Sequence, residues 1–83
     1  MKKVRFFSRK GELISEIPVP EETCKELLKL PEKELLTEVA INLSLVLDRE
    51  FGMKLKPEEI LRELGKVEVC GKEVNVEGGN PAR

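Results

Sequence analysis

The sequence predicts an α+β domain of order ββαααββ: two β-hairpins forming an antiparallel sheet, packed on one face by three helices with a long central helix. Three observations carry this reading. Each end holds an alternating apolar and polar stretch interrupted near its middle by a glycine, KKVRFFSRKGELISEIPV and KVEVCGKEVNV. Between them, Pro20, Pro31 and Pro57 each stand just before acidic residues and a run of helical apolar spacing. Within that middle region lies VAINLSLVL, Val39 to Leu47, in which seven of nine residues are apolar and the other two, Asn42 and Ser44, are small.

The first hairpin is expected to turn at Lys10-Gly11, because glycine tolerates the positive φ that tight hairpin turns require. A two-residue loop there sets Arg9 opposite Glu12, Phe7 opposite Ile14, Arg5 opposite Glu16 and Val4 opposite Ile17. Opposite charges then meet across the strands, each pair contributing about 0.2–1 kcal/mol. One face carries Val4, Phe6, Leu13 and Ile17; the other carries Arg5, Phe7, Ile14 and Glu16. PEETCKELLKL follows as a first helix, with acids in its first turn to suit the helix dipole. Pro31 ends it and opens PEKELLTEVAINLSLVLDREF, which Gly52 closes. PEEILREL is the third helix, with Gly65 as its expected terminator. In the second hairpin a Gly71-Lys72 loop pairs Val69 with Val74 and Val67 with Val76. All four valines then share one face, with Glu68, Cys70, Glu73 and Asn75 on the other. Residues 1–77 are read as one domain and 78–83 as a flexible tail.

On a 100° wheel the central helix has two apolar stripes. Leu35, Leu36, Val39, Ala40, Leu43, Val46 and Leu47 form a wide one, suited to the sheet and the flanking helices. Ile41 and Leu45 form a narrow one nearly opposite. Glu38, Asn42 and Arg49 lie on one divide between the stripes, and Thr37, Ser44 and Asp48 on the other. The first stripe is the core. The second needs cover from a neighbouring helix or loop of the same chain, or from a second subunit. In a subunit interface Asn42 is a candidate for setting helix register, the alternative being an ordinary satisfied amide. Phe7 and Ile14, on the outer face of the first hairpin, are candidates to join that interface.

Composition excludes more than it assigns. The chain of 83 residues has no His, Tyr, Trp or Gln and a single Asp, while Lys, Arg and Glu carry most of the 37% charged residues, a bias of thermophile proteins. Without His or Tyr, little is available for acid–base catalysis near neutral pH, and the glutamates alternate with lysines as solvated helix faces do. No enzyme activity, cofactor or metal site is expected. Two cysteines 46 apart do not make a four-ligand centre. Cys24 reads as a small core residue and Cys70 as the more exposed thiol. With no signal segment and no membrane span, the expected setting is cytoplasmic with reduced thiols, a Cys24–Cys70 disulfide staying open. The first ten residues hold five of the fifteen basic residues and none of the sixteen acidic ones. Lys2, Lys3, Arg5, Arg9 and Lys10 are therefore the candidate contacts if the partner is nucleic acid.

Three family resemblances bear on function. KVRFFSRKGEL with VPEETCKELLKL resembles the opening hairpin and helix of the molybdopterin-synthase small subunit and related ubiquitin-like sulfur carriers. It covers about a third of the chain. That likeness implies a terminal Gly-Gly whose carboxylate is adenylated and thiolated; here Gly79 ends Gly78-Gly79, and Asn80–Arg83 would have to be removed. SRKGELISEIPVPEE resembles the swapped-hairpin regulators and antitoxins of the AbrB and MazE type, which implies basic hairpin loops offered to DNA. LSLVLDREFGMKLKPEEI is similar to the second and third helices of acyl carrier proteins, but Thr37 stands where their phosphopantetheine serine is expected. The reading that remains is a small self-associating protein–protein interaction or regulatory module, a homodimer in its simplest form. A nucleic-acid-binding regulator and a trimmed sulfur carrier are the alternatives.

Overall fold

The computed structural model describes residues 1–76; the predicted tail at 78–83, and Gly79 with it, lies outside the described residues. The element order is β1 (Lys2–Ser8), β2 (Leu13–Val19), α1 (Glu21–Leu28), α2 (Glu32–Phe51), α3 (Pro57–Glu63), β3 (Leu64–Val69) and β4 (Lys72–Asn75). The strands form one antiparallel sheet in the order β2-β1-β3-β4, so the two hairpins join through their central strands β1 and β3. Val4 and Phe6 of β1, Val67 and Val69 of β3, and Val74 of β4 are buried on one face. Leu27, Leu35, Val39, Ala40, Leu43 and Ile60 from the three helices close over them.

Hydrophobic burial dominates the energetics. Phe6, Leu35, Val39, Val67 and Val69 are each almost fully removed from solvent, and burial of such a side chain stabilises by roughly 1.5–3 kcal/mol. The other face of the sheet is charged, with Arg5, Glu16, Glu68, Lys66 and Glu73 in exposed or half-exposed ion pairs. Pairs of that kind contribute about 0–1 kcal/mol. They fix which face is wet more than they hold the fold together.

Helix boundaries follow local chemistry. The Glu59 carboxylate accepts the Lys56 amide at 2.8 Å, securing the entry to α3. Gly52 ends α2 at φ 69°, and its left-handed turn returns the Gly52 and Met53 amides to the Asp48 and Leu47 carbonyls. Ser44 Oγ donates to the Leu55 carbonyl at 2.6 Å and pins the α2–α3 connection against α2.

Four local expectations are corrected. The first hairpin turns through Arg9-Lys10-Gly11, closed by Gly11 N to Ser8 O at 2.9 Å and Ser8 N to Glu12 O at 2.8 Å. The pairing of Val4 with Ile17 and Arg5 with Glu16 holds, but a bulge after Phe6 puts Phe7 opposite Leu13 instead of Ile14. Leu13 is consequently exposed and leaves the buried face. The second hairpin turns at Cys70-Gly71, both with positive φ, which pairs Val67 with Val74 and Val69 with Lys72. That register differs from the expected one by two residues. Side chains alternate with period two, so Val67, Val69, Val74 and Val76 remain buried together. Gly65 does not terminate α3 as a left-handed cap; it lies inside β3, where the chain passes directly from helix to strand. Finally, the cysteines are not free thiols. Cys24 and Cys70 form a disulfide with a Cα–Cα distance of 6.1 Å.

Gly65 is required by crowding. A Cβ there would meet Ser8 O at 2.8 Å and Arg9 Cα at 2.9 Å, both backbone atoms of the β1 side. Gly65→Ala is expected to destabilise the fold by about 1–3 kcal/mol in urea unfolding, the usual cost of overpacking. An unchanged midpoint would show that the backbone at Ser8 and Arg9 shifts freely to make room.

Candidate functional site

The predicted interface residues fall into three places. Ile41, Asn42 and Leu45 lie together on the side of α2 turned away from the core. Ile41 is 38% and Leu45 56% exposed, so nothing among the described residues covers the second stripe. Asn42 donates its Nδ2 to the Glu38 carbonyl one turn back within its own helix, at 3.1 Å. Ile14 sits elsewhere. The bulge in the first hairpin brings it beside Leu47, Phe51 and Met53, in a groove of about 560 Å³ between the end of α2, α3 and β2. Phe7 lies on the charged face of the sheet, with Lys66 Nζ 4.6 Å from its ring centroid, a cation–π contact.

The stripe on α2 continues into a second depression. A groove of about 320 Å³ separates α2 from the edge strand β2, walled by Ile17, Val19, Asn42, Leu45, Val46 and Arg49. Its floor is Val4, Phe6 and Val39, and α1 overhangs it through Thr23 and Leu27. The groove exists because β2 is the outermost strand and the helical layer centres on β1 and β3, leaving Ile17 and Val19 half-buried. Pro18 lies in β2 opposite Lys3 and has no N–H, which removes a donor from this edge strand. Addition of a further strand at β2 is thereby disfavoured relative to contact through the helix.

Sequence reasoning missed the exposure of Phe51, at 70%, and of Met53. The signal was present in Phe51-Gly52-Met53: apolar residues flanking a helix-ending glycine stand where the core cannot follow the chain.

The basic N-terminal strand is mostly engaged. Arg5 Nε donates to Glu16 Oε2 at 2.7 Å, Arg5 Nη1 lies 3.7 Å from Glu68, and Lys3 Nζ lies 3.5 Å from Glu16. Arg9 Nε donates to the Arg62 carbonyl at 2.6 Å, satisfying a carbonyl at the end of α3. Lys2 and Lys10 are exposed. The five cations therefore do not form one uncompensated surface. Among the described residues, no group of three or more Cys, Asp and Glu side chains is arranged to hold a metal ion. Among the described residues, no helix is long and apolar enough to cross a membrane. Compared with protein-family models, curated proteins and solved structures, the chain matches none.

The hydrogen bond from Arg5 holds the Glu16 carboxyl below its ordinary value of 4.5, helped by the charges of Lys3 and Arg5 and opposed by desolvation. A carboxyl depressed on folding stabilises the native state fully above its unfolded value. That contribution is lost as the pH falls through the folded value. In an NMR titration Glu16 is expected to protonate below 4.5, and in Arg5→Met its midpoint should rise. An unmoved midpoint in the variant would show that Arg5 is not the cause.

Proposed function

We propose that the protein is a non-catalytic interaction module that self-associates through the outward face of α2, laid antiparallel against α2 of a second copy. The observation that supports this reading is the solvent exposure of Ile41 and Leu45 on a helix whose opposite side is already fully used by the core. A helix apolar on both sides is one that expects burial on both.

Spacing and charge favour the antiparallel arrangement. Glu34, Glu38, Ile41 and Leu45 recur at intervals of four, three and four residues, the spacing of a coiled-coil seam. Acids lie toward its N-terminal end and Arg49 toward its C-terminal end. A two-fold axis near Leu43-Ser44 sets Glu38 of one copy beside Arg49 of the other, with Ile41 and Leu45 crossing at the centre. A parallel arrangement would oppose Glu38 to itself. Neither Glu38 nor Arg49 makes an ion pair among the described residues.

Four half-exposed apolar side chains supply roughly 3–6 kcal/mol on burial, whereas association costs on the order of 4–15 kcal/mol. The seam alone is thus too small. The interface extends into the adjoining groove, where Ile17, Val19 and Val46 provide further apolar surface. Nucleic-acid binding through Lys2, Lys3, Arg5, Arg9 and Lys10 has less support, since Lys3, Arg5 and Arg9 already hold partners within the fold. No observation favours the sulfur-carrier alternative.

Light scattering behind a sizing column, over a wide concentration range, tests the proposal. The wild type is expected near twice 9.4 kDa, and Ile41→Glu/Leu45→Glu near the monomer with an unchanged far-ultraviolet dichroism spectrum. Glu38→Arg should weaken association and Arg49→Glu should restore it in that background. A wild-type monomer at every concentration would contradict the proposal.

A further inference from the structure

We propose that the Cys24–Cys70 disulfide is a redox latch: reduction frees α1 from the sheet while the remaining fold persists, opening the groove that α1 overhangs. Helix α1 has eight residues, too few to be stable alone in water. Only Cys24 and Leu27 of it are buried. Among the described residues its hydrogen bonds are internal or capping, from Cys24 N to Pro20 O, Lys29 N to Glu26 O and Leu30 N to Leu27 O, and the ion pair of Lys29 with Glu26 is also local. Among the described residues, no side-chain hydrogen bond or ion pair joins α1 to another element. Two prolines, Pro20 and Pro31, bound the segment and limit how far order spreads into it from either side. Beyond the packing of Leu27 in the core, the covalent bond to Cys70 is therefore the tie between α1 and the sheet among the described residues.

The other end of the latch is anchored. Cys70 N donates to Lys3 O at 2.9 Å, fixing the β3–β4 turn to β1. Cys70 occupies the first loop position of that turn with φ 52°, followed by Gly71 at φ 93°. Such a turn prefers Asn, Asp or Gly at its first position, and a cysteine there carries conformational strain. Its sulfur is what it adds to the turn.

Reduction needs a dithiol. Cys24 is 3% exposed and Cys70 is half-buried, so the approach is from the side of Cys70. A thiolate of the dithiol attacks Cys70 Sγ, forming a mixed disulfide as the Cys70–Cys24 bond breaks. Cys24 leaves as a thiolate and takes a proton. The second thiol of the reductant then displaces Cys70, so the protein gains two electrons and two protons and the dithiol becomes a disulfide. Loss of α1 removes Thr23 and Leu27 from the groove over Val4, Phe6 and Val39, beside Leu45. The three strand pairings and the α2 stripe involve no residue of α1, so they remain.

The latch does not rest on self-association, because it is read on α1 itself. Amide hydrogen exchange followed by mass spectrometry is measured on the protein as isolated, after treatment with dithiothreitol, and on Cys24→Ala/Cys70→Asn. The double variant removes the bond while giving the turn a residue it prefers, separating loss of the bond from damage to the turn. Reduced protein and variant should both exchange roughly tenfold or more faster across residues 21–28, with β1 and β3 still protected. Unchanged protection of α1 would overturn the proposal. So would loss of protection across all elements together, or free thiols in the protein as isolated.

Discussion

Helix α2 is the constraint on which the other elements depend. The hairpins stand at opposite ends of the chain, and each presents one apolar face that its own two strands cannot cover. Pairing of β1 with β3 merges those faces into one. Leu35, Val39, Ala40 and Leu43 of α2 then bury it. A shorter central helix would leave Phe6, Val67 or Val74 in water at a cost of roughly 1.5–3 kcal/mol each. In a small domain, which buries a limited share of its surface, such losses approach the whole net stability.

The same length creates the surface of interest. Twenty residues make a helix of about 30 Å, and only one side of it can face a four-stranded sheet. Ile41 and Leu45 sit on the side left over. The sheet's outward face took the other course and became charged, with Arg5 between Glu16 and Glu68 and Lys66 between Phe7 and Glu73. The contrast gives the exposed stripe its meaning: polar residues are abundant in this chain and were placed elsewhere.

Element order, helix boundaries and the core stripe of α2 were legible because they rest on periodicity and on proline and glycine punctuation. Buried faces were legible even where registers were not. The second hairpin slipped by two residues, and an even slip leaves every valine on its face. The first hairpin acquired a bulge, which is a slip of one, and Leu13 and Ile14 both changed surroundings. Gly65 was misread because a glycine after a helix resembles a cap; its role depends on Ser8 and Arg9, nearly sixty residues away. Pairing of Cys24 with Cys70 was equally non-local and followed only from the sheet order. The candidate site was legible in part. Ile41, Asn42 and Leu45 come together because they share one helix, whereas Phe7 and Ile14 depended on a hairpin register and were separated by the bulge.

The outward stripe of α2 is proposed to meet its own copy in antiparallel fashion. Isotope-filtered NMR on an equimolar mixture of carbon-13-labelled and unlabelled chains tests it most directly. Cross-chain contacts are expected between the methyl groups of Ile41 and Leu45. Their absence, or cross-chain contacts confined to Phe51 and Met53, would contradict it and move the interface to the far end of the helix.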